Sequence, residues 1–265
     1  MKLLLLFTVV SSISLAANPP VTAAAKIRTR MIQTCPMALY HVPVAVSDLG
    51  EVRALSDVAE SLVPPTSGVL FLPGQSPAAI MAYADAKYEN YAFGVPFTLG
   101  RFKRAKPAPS KTEREKLFAV FKHHLPRLPS NVRTVGIVDY SSHGDTIVFF
   151  AALLRDFYVL AYQQRPELLL IPLLHHENLS NFVTQNARYG FKSHPIILDS
   201  YPAAGHHLQH MNYKWNAPYG QYYVYNVRDP EYRVVPYSPD LRVEYLALRE
   251  VFWNLINGRP ADARF

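Results

Sequence analysis

Two short turns hold most of the residues in this 265-residue chain whose types and spacing suit chemistry. The first, Pro73-Gly74-Gln75-Ser76-Pro77, follows the apolar run Gly68 to Leu72 and precedes an Ala- and Met-containing stretch that ends at Lys87. The second, Tyr140-Ser141-Ser142-His143-Gly144-Asp145, follows the run Val132 to Asp139 and leads into the strongly apolar stretch Thr146 to Leu160. Each pattern predicts a buried strand, a tight turn and a helix. Open parallel sheets bind ligands beyond the carboxyl ends of their strands, so a ligand would meet the chain at these turns. Glycine lets the backbone approach such a ligand, and the amides that open a helix carry partial positive charge that suits a phosphate. At the second turn Asp139 is spaced to accept from ribose hydroxyls. The amides from Ser141 to Thr146, with the hydroxyls of Ser141, Ser142 and Thr146, could form a phosphate nest that takes in His143, Gly144 and Asp145. A purely structural role fits both turns as well, because Ser76 and Thr146 are residue types that cap helices.

Other constellations compete. Gly74-Gln75-Ser76-Pro77-Ala78 is one small residue away from GxSxG, in the strand-turn-helix context of a nucleophile elbow. Asp139 or Asp199, followed by His206, His207 or His210, would complete the Ser, Asp, His order of an α/β-hydrolase. Against this, Pro77 lacks the backbone N–H that usually helps to form the oxyanion hole. His206 and His210 have the helical spacing of a zinc pair, but no glutamate follows the first histidine as in HExxH. His175-His176-Glu177 closes another apolar run and either lines the same cleft or is a solvated loop. The basic residues form no long patch with interleaved aromatics, so nucleic acid is not an expected partner.

The elements that would position these groups alternate along the chain. Apolar runs at 68–72, 132–139, 168–174 and 196–199, with a weaker proline-containing one at 93–98, are separated by helical stretches at 77–87, 113–124 and 146–160. Continuous apolar strands between helices predict an α/β fold, a mainly parallel sheet flanked by helices. Residues 201–237 hold eight tyrosines and a tryptophan; Tyr222 to Asn226 and Tyr232 to Pro236 predict a Tyr-rich β-hairpin, followed by a terminal helix from Asp240 to Gly258. The balance of 49% hydrophobic and 18% charged residues excludes a wholly disordered chain, a collagen-like repeat and a long coiled coil. Cys35 is the only cysteine, which excludes an internal disulfide and a cysteine-built zinc site. The formal charge of +7 suits an anionic ligand or surface without naming one.

The amino terminus pairs Lys2 with the apolar run Leu3 to Val10 and then small residues. This pattern predicts a signal peptide over residues 1–25, cleaved after Ser14-Leu15-Ala16 or Ala23-Ala24-Ala25, and a single exported domain over 26–265 with no membrane association after cleavage.

Residues 135–146 resemble the diphosphate-sugar loop of the type I phosphoribosyltransferases, where an apolar strand and an acidic pair lead to Thr-Gly-x-Thr and a helix. Asp139, Gly144 and Thr146 match; Val138 stands at the first acidic position and His143 at the first Thr. The order of segments is similar too, over about residues 65–200. The resemblance implies that Gly74, Gln75 and Ser76 contact pyrophosphate. It also implies that the basic stretch from Arg101 to Lys111 is a closing loop whose Arg101 and Lys103 offset the departing charge, and that Asp139 holds the ribose. The implied partner is an anionic sugar phosphate, usually accompanied by magnesium. A non-catalytic binding protein on the same scaffold is the alternative outside enzymology.

Overall fold

A computed structural model describes residues 46–74, 77–95, 97–99, 109–141, 144–206, 223–225 and 243–259. The described residues all belong to one compact unit. Its centre is a six-stranded sheet in which every pairing is parallel. The strands are β1 (Gly68–Pro73), β2 (Ala92–Val95), β4 (Thr134–Tyr140), β5 (Glu167–Leu174) and the two-residue β6 (Lys192–Ser193) and β7 (Ile196–Ile197). Spatial order is β2-β1-β4-β5-β6, with β7 also on β5. The chain moves outward from β1 to β2, then crosses back to β4 on the other flank of β1. Strand order therefore reverses between β1 and β4.

Helices cover both faces, as expected of continuous apolar strands. On one face α1 (Val46–Leu62), α2 (Ala78–Lys87) and α7 (Val243–Ile256) pack with Leu70, Leu72, Val138 and Ile171. On the other, α3 (Lys111–His124) and α4 (Asp145–Phe157) bury an aromatic cluster against Val69, Phe71, Val135 and Ile137. Phe121 is its hub, with ring centroids of Phe150, Phe157 and Phe97 at 5.4, 5.6 and 6.1 Å. A Ser110–Glu113 capping box fixes the start of α3. The terminal helix is docked on α2 by Arg249, whose Nη1 lies 3.1 Å from Asp85 Oδ2, and by Phe252, edge-on to Tyr83.

Several details differ from the sequence expectations. The run 93–98 divides into β2 and β3 (Phe97–Leu99) on either side of Pro96, a residue with no amide hydrogen to give a ladder. β3 leaves the main sheet and pairs in parallel with β8 (Tyr223–Tyr225). The expected hairpin strand at Tyr222 to Asn226 thus exists in part, while its expected partner at 232–236 lies outside the described residues. α2 begins at Ala78 with Pro77 as its N-cap, rather than being capped by Ser76. α4 is capped at Gly144, so Thr146 is its second residue and not its cap. Helix α5 (Leu179–Ala187) and the short α6 (Pro202–His206) are the remaining α-helices among the described residues. Among the described residues no helix is long and apolar enough to cross a membrane. The expected signal segment lies outside them.

Candidate functional site

The two chemically suggestive turns lie at the carboxyl ends of adjacent strands, on either side of the point where strand order reverses. That is the crevice where doubly wound sheets bind ligands. Gly74, just after β1, has φ +80°, and Gly144, just before α4, has φ +81°. Both values lie in the left-handed region, which glycine enters without a Cβ penalty. Gly74 donates its N–H to the Val95 carbonyl at 2.9 Å, which ties the first turn to the neighbouring β2.

Asp139 is the last residue but one of β4, at its carboxyl end. Side chains alternate along a strand, so Asp139 shares its face with Val135 and Ile137, toward the aromatic layer. It is only 5% exposed, and no side chain among the described residues hydrogen-bonds to it. Burial pushes its carboxyl well above the ordinary carboxylate range; the Tyr140 backbone N–H, its one opposing influence, favours the charged form. A buried acid without a side-chain partner is costly to the fold, and a strongly perturbed acid in a cleft is a functional-site signature.

Ser141 is buried beside it. Its N–H donates to the Leu173 carbonyl at 2.8 Å, and its Oγ accepts the Gly144 N–H at 2.7 Å. The Gly144 amide is therefore already used and cannot contribute to a phosphate nest. What remains is the start of α4. Val148 is the first residue to donate back, to the Gly144 carbonyl at 3.2 Å, so the amides of Asp145, Thr146 and Ile147 have no acceptor within the helix. The Ser141 hydroxyl also keeps its own hydrogen to donate. Exposed Asp145, in the first helical turn, works against an anion there. Gln75, Ser76, Ser142, His143, Arg101 and Lys103 lie outside the described residues.

One pairing at the same edge was not read from the sequence. His175, immediately after β5, places Nδ1 3.1 Å from Oδ1 of Asp199, while the His176 N–H donates to Asp199 Oδ2 at 2.7 Å. The His176 amide, and then His175, hold the Asp199 carboxyl below its usual range. A carboxylate only accepts, so the proton on Nδ1 is fixed and Nε2 is the atom left to take up a proton. The His175 ring meets Tyr140 edge-on at 6.4 Å, which sets this dyad next to the end of β4. The residue types were visible in the sequence, but their pairing spans 24 positions and had no local signal.

Among the described residues no group of three His, Cys, Asp or Glu side chains gathers as a metal centre. With Val138 at the first acidic position, Asp139 is the single carboxylate at the end of β4. One carboxylate suits a magnesium ion carried in on ligand phosphates rather than one resident in a protein cage.

No family model, curated protein or solved structure matches this chain.

Proposed function

We propose that the crevice between the carboxyl ends of β1 and β4 binds a ribose phosphate bearing a pyrophosphate, and that the chain is a phosphoribosyltransferase-like protein. The observation that carries this reading is Asp139: buried, without a side-chain partner among the described residues, and placed at the strand-order reversal between two left-handed glycine turns. In this reading Asp139 accepts from the ribose hydroxyls. The amides of Asp145, Thr146 and Ile147, with the Ser141 hydroxyl, hold the 5′-phosphate, and the turn at Gly74 faces the pyrophosphate. In the transfer, the bond from the sugar's anomeric carbon to pyrophosphate breaks, the acceptor's nucleophilic atom bonds to that carbon, and the acceptor's proton is released to solvent water. Arg101 and Lys103 offset the charge on the departing pyrophosphate. Magnesium bound with the ligand supplies further neutralisation of that charge.

Calorimetric titration with phosphoribosyl pyrophosphate and magnesium tests the reading. Binding should be saturable, and Asp139→Asn should weaken it by about tenfold or more, because each charge-assisted bond to a hydroxyl is worth about 1.5–3 kcal/mol. No heat at millimolar ligand would overturn it.

The His175–Asp199 pair supports a second reading, a serine hydrolase with Ser76 as nucleophile. The turn carrying Ser76 follows β1, and β1 and β5 flank β4, so the two strand ends lie roughly 10 Å apart. The order would then be Ser, His, Asp rather than Ser, Asp, His. Labelling by a fluorophosphonate that is lost in Ser76→Ala would select this reading over transfer. Export is proposed from residues 1–25 alone; amino-terminal sequencing of the native product should begin between Ala17 and Lys26.

A further inference from the structure

A second pocket, of about 480 Å³, opens at the other end of the sheet, where α4 finishes and the chain enters β5. Arg114 of α3, Arg155 and Asp156 of the last turn of α4, and Arg165 just before β5 bring three guanidinium groups and one carboxylate to it. Val159 and Leu160 form an apolar wall. These two residues belong to a π-helical turn, Tyr158–Tyr162, that continues α4; such turns are rare and occur frequently at functional sites. Leu160 is 67% exposed and so open to an incoming alkyl chain.

The charges in the pocket are incompletely matched. Asp156 takes a single contact from Arg114, Nη1 to Oδ2 at 3.3 Å. Arg114 Nε is buried and has no hydrogen-bond acceptor. Arg155 rests its guanidinium over the Phe191 ring at 5.4 Å, a contact that fixes the group and leaves its in-plane donors free. Arg165 has no carboxylate partner among the described residues. Three guanidinium groups thus line the cavity against one carboxylate, Asp156, and the rest of its wall, Val159, Leu160 and Pro166, is apolar.

We propose that this pocket binds an amphiphilic anion, a phosphate monoester with its head on Arg114, Arg155 and Arg165 and its alkyl chain against Val159 and Leu160. The planar forks of arginine match a phosphate better than point charges would. This site is separate from the crevice at Asp139, because Pro166 leads into the amino end of β5 while Asp139 lies near the carboxyl end of β4.

Hexyl phosphate and inorganic phosphate, titrated by calorimetry into the full chain, test the assignment. Hexyl phosphate should bind at least tenfold more tightly than inorganic phosphate. Arg155→Ala with Arg165→Ala, both exposed, should weaken hexyl phosphate at least tenfold, whereas Asp139→Asn should leave it unchanged. Leu160→Asp should remove the advantage of the alkyl chain. A third arm, vesicles containing phosphatidic acid, separates a free ester from a lipid headgroup as the source. Equal binding by wild type and the double arginine variant, or no binding of hexyl phosphate at millimolar concentration, would overturn the proposal. Vesicle binding that is undiminished in the double arginine variant would do the same.

Discussion

The turns after β1 and β4 share a backbone conformation and differ in what the missing Cβ is for. At Gly144 an added Cβ would lie 2.9 Å from the Phe182 Cα and 3.0 Å from its ring, so α5 closes directly against the turn. At Gly74 the nearest atom would be the Phe97 carbonyl oxygen at 3.4 Å, an ordinary contact. The glycine of the second turn is therefore held by packing, and that of the first by its dihedral angle alone. A glycine in a phosphate-loop pattern is thus weak evidence for a phosphate until its neighbours are known. At the second turn the function we propose therefore rests on Asp139, one residue before the turn, and not on Gly144.

The sharpest test of this contrast is alanine at each glycine. Gly74→Ala and Gly144→Ala both incur the left-handed penalty of about 1–2 kcal/mol. Gly144→Ala also has to displace the backbone of α5, an overpacking cost of about 1–3 kcal/mol. Denaturant unfolding should therefore rank Gly144→Ala well below Gly74→Ala in stability. Equal losses would show that α5 gives way freely and that the two turns are equivalent. Because Gly144→Val would disturb the fold itself, it is a poor probe of ligand crowding, whatever binds there.

Asp139→Asn separates site from scaffold. Removing a buried acid that only a backbone N–H compensates should leave the protein as stable as wild type or up to about 2 kcal/mol more so near neutral pH, while ligand affinity falls about tenfold. A variant that lost both would identify Asp139 as structural. Ser141→Ala is the next smaller effect: it strands the buried Gly144 N–H, so urea unfolding should report a loss of about 1–3 kcal/mol. No loss would mean that water takes over the contact.

The strands of the central sheet were legible because buried parallel strands are continuous apolar runs; Gly68 to Leu72, Val132 to Asp139 and Leu168 to Leu174 all became β-structure at nearly those bounds. Ile196 to Asp199 was over-read. Only Ile196 and Ile197 pair, and the chain turns at Leu198. Besides the five-residue α6, two helices escaped the sequence reading for different reasons. The Leu49, Val52, Leu55 and Ala59 stripe of α1 carries a helical period, but it is interrupted by Gly50 and many polar residues. Helix α5, LSNFVTQNA, is short and rich in Asn, Thr and Val, poor helix formers that tertiary packing through Phe182 overrides. Of the site, the two turns and Asp139 were visible as pattern. The occupied amide of Gly144, the pressure of Phe182 on the turn and the pairing of His175 with Asp199 depend on neighbours far along the chain, which no local spacing encodes.

The smallest expected effect concerns protons. Burial raises the Asp139 pKa above its ordinary value of 3.8, so the stability this group contributes is complete below that value and is lost as pH rises through its folded-state pKa. His124 behaves oppositely. Burial, with His123 adding to it, lowers its pKa from 6.5 to about 4, so its contribution is present above pH 6.5 and fades as pH falls toward 4. The two slopes overlap in wild type, and acid scans of that protein alone cannot separate them. Asp139→Asn keeps His124 and removes the carboxyl, so subtracting its stability curve from that of wild type cancels the histidine. The difference should favour wild type increasingly as pH drops, with a slope of at most about 1.4 kcal/mol per pH unit for one proton. A flat difference would mean that Asp139 titrates alike in the folded and unfolded chain, and the contrast between the turns would then rest on Phe182 alone.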